Sequence, residues 1–218
     1  MSIDNKATRP NDTCMSHYDS NVSSSKYIPD SAQGMVAFDI ETTGLDPSVC
    51  VVTAACVYGE GVEETFLFKG ESEAEDAEGR VRFLGLLDAA PRLCSFNGIR
   101  FDIPFLHAAW RLSPERVEAW VLKTFDVFEA CKLGLNTTFS LNQLLFANRM
   151  ESKSGSGGQA IMLAQTKQWD ALGAYCMQDT RLTYLVSSQR VIALPLLLKS
   201  SQRQFAIDRT SSALFQMW

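Results

Sequence analysis

Four carboxylates, Asp39, Glu41, Asp102 and Asp179, stand where the surrounding pattern calls for apolar side chains. In Met35-Val-Ala-Phe-Asp-Ile-Glu41, the period-two alternation of a strand puts Val36, Phe38 and Ile40 on one face and Asp39 with Glu41 on the other. Like charges so placed on a core strand repel and are poorly hydrated, so they need protonation, a cation or open solvent. A solvent-facing sheet edge is the competing reading of this pair. Asp102 lies between Phe101 and Ile103, behind an Asn97-Gly98 turn and ahead of Pro104. A helix cap there is worth about 0.5–2 kcal/mol, but capping does not account for the apolar flanks. Further on, Leu172, Tyr175, Cys176, Asp179, Leu182 and Val186 form one helical stripe that Asp179 interrupts. Arg181 faces elsewhere, so Asp179 needs another salt-bridge partner or a metal, and Tyr175 lies one turn earlier on the same side. Acids from three segments suit hard divalent cations such as Mg²⁺ or Mn²⁺. Two ions about 3.5–4 Å apart can activate water for in-line phosphoryl displacement, which is nuclease chemistry.

The elements that must position these acids follow from periodicity and breakers. Strands are predicted over residues 35–41, 49–58 and 62–68 as a meander, then 92–96 and a short one over 124–128. Helices are predicted over 71–89, 105–111, 115–122, 141–148, 159–165 and 169–191, with Ser113 and Ser140 as polar starts and Pro104 and Pro114 in first turns. Residues 1–34 lack apolar periodicity and predict a disordered tail, and the Ser/Gly cluster over 152–158 predicts a flexible loop. The last stretch, 205–218, is apolar enough to pack on the core or dock a partner.

Composition narrows the class. At 218 residues, 46% apolar and 21% charged, the chain predicts one ordinary globular domain. The longest aliphatic run, 191–198, is eight residues and contains Pro195, too short for a bilayer. Without an evident signal or transit peptide, the expectation is an intracellular protein, cytoplasmic or nucleoid-associated, with no membrane partner. Six cysteines show no C-x-x-C pair, so neither a disulfide framework nor a structural zinc site is expected. Residues 1–122 carry 10 Lys plus Arg against 19 Asp plus Glu, a balance of −9; residues 123–218 carry 10 against 6, a balance of +4. The acidic run from Glu60 to Glu78 is expected as a solvated face, while Lys153, Lys167, Arg181, Arg190, Lys199, Arg203 and Arg209 are candidate phosphate contacts. His107 and His17, the only histidines, are not expected to be catalytic, and Asp126 is a candidate supporting group for the site.

Phe38-Asp-Ile-Glu-Thr-Thr-Gly-Leu45, Phe96-Asn-Gly-Ile-Arg-Phe-Asp102 and Tyr175-Cys-Met-Gln-Asp179 resemble, in order and spacing, the three motifs of the DEDD superfamily of 3′-5′ exonucleases. The tyrosine four residues before the last aspartate matches the tyrosine branch. The Asn97 to Leu106 segment is most similar to proofreading domains of family B DNA polymerases and their stand-alone relatives. Covering about residues 35–190, the resemblance implies an α/β, ribonuclease H-like fold: a mixed five-stranded sheet flanked by helices, within a domain spanning 35–218. It implies Asp39, Glu41, Asp102 and Asp179 as ligands of two Mg²⁺ or Mn²⁺ ions, with Tyr175 orienting the attacking water. Thr42, Thr43, Leu45, Asn97 and Phe101 would contact the terminal nucleotide, and Leu45 as a wedge between bases competes with Leu45 as a core residue. The implied activity is release of nucleoside monophosphates from the 3′ end of single-stranded DNA, alone or with a replication or repair partner. RNA trimming and a catalytically silent binding module are the alternatives. All of this requires the four acids to converge without being neutralised by Lys or Arg.

Overall fold

Asp39 and Glu41 lie on the central strand of a five-stranded mixed sheet, and both faces of that strand are covered. The computed structural model describes residues 34–135, 138–153, 157–195 and 206–208. Strands β1 (Met35–Thr42), β2 (Val52–Gly59) and β3 (Val62–Leu67) form an antiparallel meander, while β4 (Arg92–Ser95) and β5 (Thr124–Asp126) add in parallel, giving the order β3-β2-β1-β4-β5. The expected α/β mixed sheet is therefore present. Parallel neighbours need crossovers, and two helical segments supply them. Helix α1 (Glu73–Ala89) joins β3 to β4, and α2 (Asp102–Trp110) with α3 (Pro114–Lys123) joins β4 to β5.

Val36, Phe38 and Ile40 pack with Phe83, Leu87, Ile103, Phe105 and Trp120 on the face covered by α1, α2 and α3. The other face, which carries Asp39 and Glu41, is covered by α6 (Gly157–Gln165) and α7 (Trp169–Ser187), where Ala54 and Cys56 of β2 meet Ala160, Leu172 and Cys176. The acids thus sit under a helix, and the sheet-edge reading fails. The acidic stretch of α1 is largely exposed, and Lys123 closes that helix by donating to the carbonyls of Leu87, Asp88 and Ala90 at 2.7–2.9 Å.

Four expectations need correction. Residues 124–128 do not stay extended: β5 stops at Asp126 and α4 (Val127–Leu135) follows, because the Asp126 carboxylate caps the Phe128 and Glu129 amides at 3.0 and 3.2 Å. An Asp-x-x-Glu pattern at Asp126 and Glu129 was the available signal. Helix α2 begins at Asp102 rather than residue 105, and β2 begins three residues after position 49. Helix α7 ends at Ser187 rather than 191; Val191–Ala193 is instead β6, paired with β7 (Ala206–Asp208). The Asn148 side chain, just after α5 (Leu141–Ala147), holds both the amide and the carbonyl of Ala193 at 2.8 and 2.9 Å, so a remote amide acts as a strand edge. Residues 1–33 of the predicted tail, with Cys14 and His17, and Lys199, Arg203 and Arg209 lie outside the described residues, as does the 205–218 stretch apart from β7.

Candidate active site

Strand β1 outruns β4. The two pair only from Met35 to Ala37, which leaves the Ile40 amide without a strand partner on that side. The Asp102 side chain takes its place: Oδ1 accepts from the Ile40 N–H at 3.0 Å. Asp102, at the first residue of a helix whose N-cap Phe101 has no side-chain cap bond, thus bonds to β1 between the residues carrying the other two acids. The Asn97-Gly98 turn makes this possible. Asn97 is left-handed at φ 68°, and a Cβ on Gly98 would come within 2.6 Å of the Ser95 Cβ.

Asp126 repeats the device one strand over. Its carboxylate accepts from the Asn97 and Ile99 amides at 2.9 Å each and from Ser95 Oγ at 3.3 Å, besides the two caps on α4. It supports the turn that aims Asp102. Asp126→Ala orphans four backbone amides at a buried position, so a loss of about 3 kcal/mol or more is expected in urea unfolding at pH 7. A loss under about 0.5 kcal/mol, the range of an ordinary surface change, would contradict that role.

Helix α7 completes the cluster from above. Every member of the stripe Leu172, Tyr175, Cys176, Asp179, Leu182 and Val186 is buried. The Cys176 thiol lies 3.6 Å from the Asp39 carbonyl and 3.9 Å from Asp39 Oδ2, and ligand atoms of Asp39, Glu41 and Cys176 all fall within 4.8 Å of one another. Asp179 follows one turn later. Its Oδ2 receives the Lys153 ammonium at 2.5 Å, while its buried Oδ1 has no hydrogen-bond partner. Lys153 also donates to the Tyr175 hydroxyl at 3.1 Å and lies over that ring. Asn142 of α5 holds the Lys153 amide at 2.7 Å.

Lys153, a candidate phosphate contact from the sequence, is the ion-pair partner of Asp179. No local pattern revealed it, since 26 residues separate the two. This departs from the requirement that no Lys or Arg neutralise the acids, but it offsets only one of the four negative groups. The electrostatics show the excess. Burial first, then Asp102, Glu41 and Asp179, hold the Asp39 carboxyl well above its ordinary value. Burial and Asp179 push Glu41 up to about 8 despite Lys153. Burial pushes Asp102 up to about 7 against the Ile40 hydrogen bond, and burial also raises Asp179 against Lys153. Tyr175, pushed up to about 12 by burial and Asp179, remains a neutral phenol at physiological pH.

A metal-free cluster of this kind is strained toward protonation, and its donors fit a hard divalent ion: carboxylate oxygens, half-buried to buried, one of them unpartnered. Asp39, Glu41, Asp102 and Asp179 are the residues that could hold it.

The other candidates divide. Leu45 is 82% exposed, which excludes the core reading, and Val49 and Val51 beside it are exposed as well. Thr42 is buried with its hydroxyl donated to the Gly44 carbonyl at 2.6 Å, and Thr43 Oγ1 accepts from the Val51 amide at 3.0 Å. These threonines shape the loop that presents Leu45. Phe101 is half-buried against Phe105. Among the expected phosphate contacts, Lys167 pairs with Glu71 at 3.5 Å and Arg181 with Glu63, while Arg190 is exposed. Part of the acidic run is thus spent on basic side chains. His107 is exposed. Among the described residues no disulfide is formed, and no helix is long and apolar enough to cross a membrane.

Solved structures share this fold. The family B DNA polymerase of the hyperthermophilic archaeon Pyrobaculum calidifontis matches 70% of this chain with 24% of its own, at 17% identity and a TM-score of 0.54. Escherichia coli exonuclease I in complex with a dT13 oligonucleotide matches 71% of this chain with 40% of its own, at 16% identity and a TM-score of 0.46. The chain therefore spans about a quarter of the polymerase and two fifths of the exonuclease, and at these identities the likeness is one of fold. No curated protein matches the sequence. The family model of the RNase H superfamily matches residues 36–189, from the second residue of β1 to just beyond α7, and so takes in every acid of the cluster. With the sheet order, the crossovers and the acids beneath the last long helix, that match makes this chain a member of the RNase H superfamily.

Proposed function

We propose that the chain is a divalent-metal-dependent 3′-5′ exonuclease of the DEDD tyrosine branch, acting on the 3′ end of single-stranded nucleic acid, DNA in preference to RNA. The observation that carries it is the convergence of Asp39, Glu41, Asp102 and Asp179 from β1, the start of α2 and the middle of α7, with one cation among the described residues, Lys153, to offset them. A pure binder of nucleic acid gains nothing from such a pocket, which repels phosphate until cations fill it. The direction of attack and the exonuclease domain over residues 35–218 rest on the three motifs.

Mg²⁺ or Mn²⁺ held by the four acids would supply the Lewis acidity that ionises a water near neutral pH and steadies the leaving oxygen. The chain's own groups do the rest. Tyr175, neutral and fixed by Lys153, holds the attacking water by a hydrogen bond and does not take its proton. Lys153 stays cationic, since Asp179 and Tyr175 outweigh the effect of burial and hold its ammonium above the ordinary value. It faces the negative charge that develops on the scissile phosphate. Leu45, exposed on its braced loop, lies against the terminal bases, and a replication or repair protein is the partner we assign.

Tyr175→Phe removes the orienting hydroxyl and keeps the ring, so kcat is expected to fall about 10–100-fold with KM little changed. The function itself is tested with 5′-labelled single-stranded DNA and a matched RNA, incubated with Mg²⁺ or Mn²⁺ and with chelator. A metal-dependent ladder shortening from the 3′ end with release of nucleoside monophosphates is expected for DNA. Shortening of RNA alone would reverse the substrate assignment, and no shortening of either would refute the proposal.

A further inference from the structure

We propose that Cys176, together with Asp39, Glu41 and Asp179, forms a second mode of cation binding at this pocket, one selective for a thiophilic divalent ion such as Zn²⁺. The inference shares its acids with the proposed function but does not depend on their catalysing anything. Tetrahedral zinc, with sulfur at about 2.3 Å and oxygen at about 2.0 Å, requires sulfur and oxygen ligands about 3.5 Å apart. Cys176 Sγ is 3.9 Å from Asp39 Oδ2, and Glu41 completes a set within 4.8 Å, so side-chain adjustment of a few tenths of an ångström to about one ångström closes the site. Asp179 stands outside that 4.8 Å set, with Oδ2 held by Lys153 at 2.5 Å, and is the next acid along the helix. Asp179 lies three residues after Cys176 on the same face of α7, is 93% buried, and leaves Oδ1 without a hydrogen-bond partner.

The thiol decides which ions the site accepts. Cys176 Sγ lies within reach of the Asp39 and Glu41 oxygens, so a hard ion is held by the carboxylates alone and a thiophilic ion gains the sulfur as well. A thiophilic ion exchanges for the thiol proton: the S–H bond breaks, a sulfur–metal bond forms and the proton leaves to solvent, with no change of oxidation state. The absence of a C-x-x-C pair concealed this site, because Cys176 and Asp39 are 137 residues apart. Zn²⁺ bound this way occupies the carboxylates that Mg²⁺ or Mn²⁺ would use, and so inhibits.

The test uses the full chain without nucleic acid. Cd²⁺ titrated into it is expected to raise a sulfur-to-metal charge-transfer absorbance that saturates at one equivalent. That band is expected to vanish in Cys176→Ser and to persist in Cys56→Ser, the neighbouring buried thiol. In Mn²⁺ competition, the preference for Zn²⁺ is expected to fall about 10-fold or more in Cys176→Ser. Should that variant fail to fold, zinc K-edge absorption on a Cys14→Ser, Cys50→Ser background reads the same point, with one sulfur scatterer expected at about 2.3 Å. An undiminished band in Cys176→Ser, or a zinc shell of oxygen and nitrogen alone, overturns the proposal. Neither result bears on whether Mn²⁺ supports strand shortening, so the two readings fail separately.

Discussion

Asp39→Asn is expected to lower 3′-end release by about 1,000-fold or more while making the metal-free protein more stable. The activity loss follows from removing a ligand whose bound ion supplies several kcal/mol of transition-state charge stabilisation, at 1.36 kcal/mol per factor of ten. The gain in stability follows from the pocket itself. Asp39 is held far above its ordinary value by burial, Asp102, Glu41 and Asp179, so its ionised form is disfavoured in the folded chain, and a neutral amide of the same shape relieves the repulsion. Rates on single-stranded DNA with Mn²⁺ and melting temperatures in chelator, both at pH 8, measure the two effects. An Asp39→Asn variant that keeps a tenth or more of the activity removes Asp39 from the ligand set. One that loses activity together with stability points to a structural role instead.

The second large effect is a linkage between pH, metal and stability. Asp39, Glu41, Asp102 and Asp179 all have folded-state values raised above their ordinary ones, to about 8 for Glu41 and about 7 for Asp102. A raised carboxyl binds more protons in the folded state than in the unfolded one, so its favourable contribution is present at low pH and lost as pH rises. The window runs from the ordinary values, 3.8 and 4.5, up through about 8. The metal-free chain is therefore expected to lose a few kcal/mol between pH 5 and pH 8, an order-of-magnitude figure for the acids together. Lys153 does not offset this, because its own raised value lies above the window.

Divalent ions replace the missing protons. At 100 times the dissociation constant, Mn²⁺ contributes about 2.7 kcal/mol, which for a chain of this size corresponds to a rise of about 5–10 °C in Tm. The rise is expected at pH 8 and to shrink toward pH 5, where protons compete for the same oxygens. Calorimetry at both pH values, with and without Mn²⁺, checks this. Equal Tm values at pH 5 and 8 in chelator, with no response to Mn²⁺, would mean that the acids do not share one pocket.

Local patterns carried a large part of the architecture. The alternation in β1, the stripe on α7, the Asn97-Gly98 turn and the serine starts of α3 and α5 each act within a few residues, and all are present in the structure. What local patterns missed shares one property. Lys153 meeting Asp179, Cys176 meeting Asp39 and Asn148 bracing β6 are contacts between segments 26, 137 and 45 residues apart. Helix α4 is the exception, since the Asp126 cap that starts it is local and was legible.

By itself, the sequence determined which residues are chemically out of place and on which face of their own strand or helix they stand, because side-chain direction follows from backbone period alone. Only the tertiary structure decided that those faces oppose one another, that Asp102 stands in for a missing strand at Ile40, and that one lysine enters the pocket while a thiol lines it. The reason is physical. The cost of an isolated buried charge is set by the dielectric and the partners around it, and those exist only once distant segments have packed together.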